Sequence, residues 1–129
     1  MGGDPPGPVR PRLGVSDPRD LLTDWLAGGP EPDRATRKAA VKESLAELAR
    51  RAPGHSVEVR VPPFGAVQCI EGPRHTRGTP PNVVEADPRT WLALVLGVTT
   101  WADAVAGGSV RASGGRAPEV GTFLPLRDS

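Results

Sequence analysis

The chain is poor in several things, and each scarcity excludes something. Among 129 residues there is one cysteine, one methionine and no tyrosine. A lone thiol, Cys69, forms no intrachain disulfide, so the framework of a small oxidised domain is excluded and a reducing, cytoplasmic setting is expected. Charge of one sign is not in excess, because 16 Lys and Arg against 15 Asp and Glu leave a net +1. A nucleic-acid partner needs a basic surplus gathered on one face, and none is expected here. No apolar run approaches the roughly 20 residues of a membrane span, so stable membrane insertion is not expected. The opening MGGDPPGPVRPRLGV has no apolar core of the kind a signal peptide carries.

Proline and glycine are abundant, at 16 each. They gather in residues 1–15 and in short breaks further on. Residues 1–15 therefore read as a flexible Pro/Gly-rich arm, and 16–129 as a single domain large enough to bury a core without disulfide or metal.

Periodicity sets the elements of that domain. Asp17-Pro18 is a helix start, an Asp cap with Pro at the first helical position. Leu21, Leu22, Trp25 and Leu26 then share one helical face, and Gly28-Gly29 ends it. Residues 33–52 give the strongest helix, with Val41, Leu45, Leu48 and Ala52 in a stripe and Pro53-Gly54 as the stop. The period then changes to two. Val57, Val59 and Val61 alternate with Ser56, Glu58 and Arg60, a half-buried strand. Pro62 to Gly65 turns the chain, and residues 66–71 are a second strand, more apolar and so expected to be more central. The pair reads as an antiparallel hairpin. NVVEA, 82–86, is a third strand.

Asp87-Pro88 repeats the capping device, and Trp91, Leu92, Val95 and Leu96 form the inner face of the next helix. Thr100 and Asp103 make a capping box for another short helix, with Trp101, Ala104 and Val105 inward. Residues 109–113 alternate again as a strand. The tail VGTFLPL has apolar residues to dock but no clear period. Helices and strands are segregated along the chain, so the expected class is α+β, an antiparallel sheet covered by helices in two layers.

The chemistry is sparser. GPRHTRGTPPNVVEADP, residues 72–88, places Arg74, His75 and Arg77 on one short connection. Guanidinium groups bind carboxylate or phosphate through paired hydrogen bonds, so the stretch is a candidate rim for an anionic group. The structural alternative pairs these arginines with Glu71 or Glu85. His75 titrates near neutrality but has no partner set by spacing, and His55 reads as a surface residue. No catalytic set is therefore assigned. Cys69 reads as a small buried hydrophobe. Paired ligand spacing for zinc is absent, as are a P-loop and a GxGxxG after a strand, so no metal or cofactor is expected. Trp25, Trp91 and Trp101 all sit on apolar helix faces, which suits a core or the wall of a cavity.

The run DPRTWLALVLGVTTWADAVAGGSVRASG resembles the helix-helix-strand signature of the sterol carrier protein fold. The resemblance rests on Asp87, Trp91, Leu94, Gly97, Ala104, Gly108, Val110 and Gly114. The longer stretch SVEVRVPPFGAVQCIEGPRHTRGTPPNVVEADP is similar to a bacterial branch of that family, and the likeness runs from about Asp33 to Leu126. It implies an α+β layer with a cavity between sheet and helices, which in well-known members holds sterols, fatty acids or acyl chains. The same fold forms the C-terminal domain of mycothiol-dependent maleylpyruvate isomerases, and no counterpart of their separate helical catalytic domain is expected in these residues.

The resulting expectation is a non-enzymatic binding or carrier protein for a hydrophobic or amphipathic small molecule. Trp91, Leu92, Val95 and Trp101 from the helices and Val59, Val67 and Cys69 from the sheet would wall the site. Arg74, His75 and Arg77 would meet a polar or anionic head group. The alternatives are a protein-interaction module, dimerising or meeting a partner through residues 17–27, and an auxiliary part of a thiol-dependent isomerase system.

Overall fold

The structure is a computed structural model, and it describes residues 17–72 and 82–127. Its helices start where the capping residues place them. Helix α1 (Pro18–Leu26) begins at Asp17, whose carboxylate accepts the Arg19 amide at 2.9 Å. Helix α2 (Arg34–Arg51) begins at Asp33, which accepts from the Thr36 amide at 2.8 Å. Helix α3 (Pro88–Val95) begins after Asp87, which accepts from Thr90 at 2.7 Å. Helix α4 (Trp101–Ala106) begins after Thr100, whose hydroxyl accepts from Asp103 at 3.1 Å. Each cap satisfies an amide that the first turn leaves without a helical partner.

Four strands form one sheet: β1 (Val57–Val61), β2 (Gly65–Cys69), β3 (Asn82–Ala86) and β4 (Val110–Ser113). Their order is β2-β1-β3-β4. The hairpin of β1 and β2 is antiparallel as expected, and so is the pair β3–β4. The β1–β3 pair is parallel, which makes the sheet mixed where a wholly antiparallel one was expected. The register explains why. Val57, at the start of β1, lies opposite both Cys69 at the end of β2 and Asn82 at the start of β3. The chain thus re-enters the sheet at the end where β1 began, on the edge of β1 that β2 leaves open. The centre is also different. β2 is an edge strand with Ala66 and Gln68 exposed, and β1 and β3 are central. The apolar run 66–71 owes its burial to Cys69 and Ile70 at its end rather than to two covered faces.

One face of the sheet is dry. Val57, Val59 and Val61 of β1 and Val84 and Ala86 of β3 are buried and share a core cluster to which every described helix and strand contributes. Helix α2 packs on β2 and α3. Its buried stripe is Val41, Leu45 and Leu48, joined by Ser44. The hairpin turn adds Phe64, whose ring lies 5.1 Å from the Arg34 guanidinium and 5.8 Å from that of Arg37. The tail, which has no clear period in sequence, forms a 3-10 helix (Ala117–Phe123) that buries Ala117 and Val120. Beyond it, the amides of Leu126 and Arg127 both donate to the Val95 carbonyl, and the Arg127 side chain reaches Glu47 on α2.

Ser44 is the polar member of this interior. Its hydroxyl donates to the Val41 carbonyl at 2.9 Å and accepts the Trp91 indole N–H at 2.8 Å. Both side chains are fully buried. Replacing Ser44 by Ala leaves the indole donor without a partner in a dry site. The expected cost is about 1–3 kcal/mol, read as a lower denaturation midpoint by chemical unfolding. The double variant with Trp91→Phe, which removes the donor too, is expected to show no further loss from the missing hydrogen bond beyond that of Trp91→Phe alone.

Candidate functional site

The side chains expected to wall a cavity fall into two environments. Trp91, Leu92, Val95, Val59 and Cys69 are all members of the core cluster, each no more than 2 % exposed. Val67 and Trp101 are half-buried and pack against that cluster. The fold therefore brings all seven to one body of apolar contacts, and the space between sheet and helices is occupied by their own side chains. Arg74, His75 and Arg77 lie outside the described residues. Burial pushes the Cys69 thiol up to about 11, so it is protonated at neutral pH and is not poised as a nucleophile.

Trp101, like Val67, meets both core and solvent. It borders a half-enclosed recess of about 180 Å³ between the end of α3, the start of α4 and the 3-10 helix. Leu94, Gly97, Leu124 and Pro125 supply apolar walls, and Thr99 and Thr100 stand at its polar side. Gly121 lies against the indole. A Cβ built there would sit 2.6 Å from Trp101 Cγ, closer than side chains approach one another, so glycine permits the contact. Val98 and Val105 on either side of Trp101 are exposed, at 52 % and 40 %. The run from Trp91 to Val110 carries Asp103 as its single charged residue. A concave, mostly apolar recess with a few polar groups at its side is the usual form of a small-molecule site.

A polar cluster stands at the sheet end where β2 leaves and β3 enters. Ile70 adopts a φ of 69°, rare for a β-branched residue. It is held there from three sides. Its amide donates to the Ala52 carbonyl at 2.6 Å, and its carbonyl accepts both the Ser56 amide at 3.1 Å and the Ser56 hydroxyl at 2.6 Å. Asn82, also buried, donates to the Ser56 carbonyl at 2.9 Å and accepts the Arg116 amide at 2.9 Å. The Arg116 guanidinium in turn donates to the Glu71 carbonyl at 2.8 Å and grips both oxygens of Glu119. Glu71 and Asn82, which flank residues 73–81, are thus both tied to Arg116, the residue that opens the 3-10 helix. Sequence reading missed Ser56, Asn82 and Arg116. Each is a polar residue of ordinary type, and only the long-range contact reveals its place.

The remaining expected residues are placed as follows. Leu22 and Trp25 of α1, on the face expected to meet another protein, are buried in the chain's own core, and Arg89 lies 5.3 Å from the Trp25 ring. Leu21 on the same helix is exposed. His55 is exposed, and its Nδ1 lies 2.8 Å from Gln68 Oε1. Among the described residues no three His, Cys, Asp or Glu side chains gather to hold a metal ion, and no helix is long and apolar enough to cross a membrane.

The family model described as bacterial SCP ortholog matches residues 33–126, from the cap of α2 to the buried Leu126. No curated protein matches the chain.

The Arg116–Glu119 contact makes a pH prediction. Hydrogen bonding from Arg116 holds the Glu119 carboxyl below its ordinary value of 4.5, with the guanidinium charge acting in the same direction. A depressed carboxyl contributes stability above its unfolded value and loses it as pH falls through the lower folded value. Carboxyl-carbon NMR titration should place the Glu119 midpoint below 4.5 and return it towards that value in Arg116→Gln. A Glu119 midpoint at or above 4.5 in the unaltered protein contradicts the contact.

Proposed function

The chain belongs to the bacterial SCP ortholog family, and we propose that it is a non-enzymatic binding or carrier protein for a small amphipathic molecule, held at the Trp101 recess. The single observation that carries this reading is that recess: apolar walls, a half-buried indole and a glycine that leaves room for the indole. Its size limits the ligand. About 180 Å³ is below the roughly 300 Å³ at which drug-sized sites begin, so it accepts one apolar group, such as the end of a hydrocarbon chain. Thr99 and Thr100 offer hydroxyls to a polar atom next to that group.

In this reading the other expected wall residues form the packed support behind Trp101. Arg74, His75 and Arg77 are proposed as contacts for an anionic head group. What supports that part is the tie between the two flanks of the segment and Arg116, which opens the 3-10 helix lining the recess. A membrane-crossing role finds no support in any described helix.

Isothermal titration calorimetry provides the test, because its signal does not depend on the indole that is altered. Titration with decanoate below its micelle concentration should give a saturable heat change. Trp101→Ala and Gly121→Ala should each weaken binding about tenfold, the worth of one well-placed apolar contact. Charge reversal at Arg74 and Arg77 together should weaken decanoate without affecting decanol. Native mass spectrometry of the purified protein, with solvent extraction of the same sample, would identify a co-purifying acyl species. Decanoate affinity unchanged in both recess variants, with their folding intact, contradicts the reading.

A further inference from the structure

The second face of the sheet has a different chemistry. Alternation sends Glu58 and Arg60 of β1, Val83 and Glu85 of β3, and Arg111 and Ser113 of β4 away from the core. This face is open to solvent at Ala66, Gln68, Arg111 and Ser113. Its charges are ordered. Glu85 stands opposite Arg60 on one side and Arg111 on the other, so three adjacent strands present cation, anion, cation in one row. Strand spacing puts the backbones of the two arginines about 10 Å apart.

Neither arginine is fully engaged among the described residues. Arg60 turns along its own strand and donates Nε and Nη2 to a single oxygen of Glu58, at 3.2 and 2.9 Å. Arg111 donates Nη2 alone, to one oxygen of Glu85 at 2.9 Å, and its side chain is 79 % exposed. An exposed pair held by one contact is weak and exchangeable. Recesses lie on both sides of that pair. One, of about 280 Å³, is bordered by Arg60, Val83, Glu85, Arg111 and Ser113. The other, of about 290 Å³, shares Glu85 and Arg111 and continues past Ser109 towards Pro62.

The charge order selects a ligand class. A simple anion drawn to the arginines meets Glu85 between them. A simple cation drawn to Glu85 meets two guanidinium groups. Glu58, Arg60, Glu85 and Arg111 together carry no net charge, so the complement is a molecule that carries both signs. We propose that this face binds a small zwitterion, a primary ammonium joined to a carboxylate or phosphate, with its ammonium on Glu85 and its oxyanion between Arg60 and Arg111. The ammonium takes the place of Arg111 on the Glu85 oxygen, and the released guanidinium turns to the oxyanion, where two parallel donors are stronger than the single contact it leaves. Val83 lies under the linking carbons, and Ser113 supplies a hydroxyl. The volume suits an amino-acid-sized molecule. The site is separate from the Trp101 recess and stands or falls without it.

The test is a titration of the full-length, nitrogen-15-labelled protein at fixed ionic strength. O-phosphoethanolamine and β-alanine are the zwitterions; inorganic phosphate and ethylamine are their halves. Saturable amide shifts at Val83, Glu85, Arg111 and Ser113 are expected for at least one zwitterion, and the tighter of the two tells whether phosphate or carboxylate is the natural oxyanion. Arg111→Gln and Glu85→Gln should each weaken binding at least tenfold, while their spectra away from this face stay unchanged. Because Arg111 is exposed, its variant is expected to fold normally. The proposal is overturned if neither zwitterion gives saturable shifts, if a half binds as tightly as the whole, or if both variants bind as the unaltered protein does.

Discussion

The hydrogen bond from the Trp91 indole to Ser44 is the contact on which the rest of the structure depends. It is the meeting point of α3 and α2, in an interior where neither side chain has access to water. An unpartnered indole N–H in that place is costly, so the bond fixes where α3 lies as well as holding it there. The position of α3 then determines the course of the C-terminal third of the chain. The carbonyl of Val95, at the helix end, receives the tail, and the segment from Leu94 to Gly97 forms one wall of the Trp101 recess. The strands beneath are set by the same packing, since Val59 and Val84 are buried in the cluster that includes Trp91.

This arrangement is why the proposed site lies at the edge of the core. A carrier of the larger kind would hold its cargo between sheet and helices, but here that layer is filled by Trp91, Leu92 and Val95 against Val59 and Cys69. Close-packed interiors do not open for a ligand without losing the dispersion contacts and burial that hold them shut. An apolar edge stays accessible at Trp101, which has one side on the core and one on solvent. Gly121 and the tail residues Leu124 and Pro125 complete that edge. The C-terminal segment, which looks in sequence like leftover apolar residues, is therefore part of the proposed site.

Much of the fold could be read from the chain. Asp17, Asp87 and Thr100 announce helix starts because a side-chain oxygen at that position satisfies an otherwise unpaired amide, a local effect that needs no knowledge of the fold; Asp33, read in sequence only as the first residue of its helix, caps α2 in the same way. The alternation at Val57, Val59 and Val61 is equally local. Strand order is not. Nothing in NVVEA says that it pairs parallel with β1 rather than antiparallel with β2, because the choice depends on where the chain returns to the sheet. The apolar content of 66–71 pointed to a central strand and misled, since Ala66 is exposed and the buried Cys69 and Ile70 cluster at one end. Ser44, Ser56, Asn82 and Arg116 were illegible for the same reason. Each is polar and common on surfaces, and each matters through a partner between 14 and 47 residues away. Of the proposed site, Trp101 was legible as an apolar residue on a short helix, whereas Gly121 read only as a break in the tail.

Central to this account is that ligand meets the protein at Trp101 and leaves the interior at Trp91 closed. The three tryptophans report on this directly, since they occupy distinct surroundings: Trp25 beneath Arg89, Trp91 sealed against Ser44, and Trp101 at the recess. Protein labelled with 5-fluorotryptophan gives one fluorine resonance for each, assigned by single Trp→Phe variants. On addition of decanoate the Trp101 resonance is predicted to move while that of Trp91 stays. Movement at Trp91 with Trp101 still would contradict the account and place the ligand between the layers.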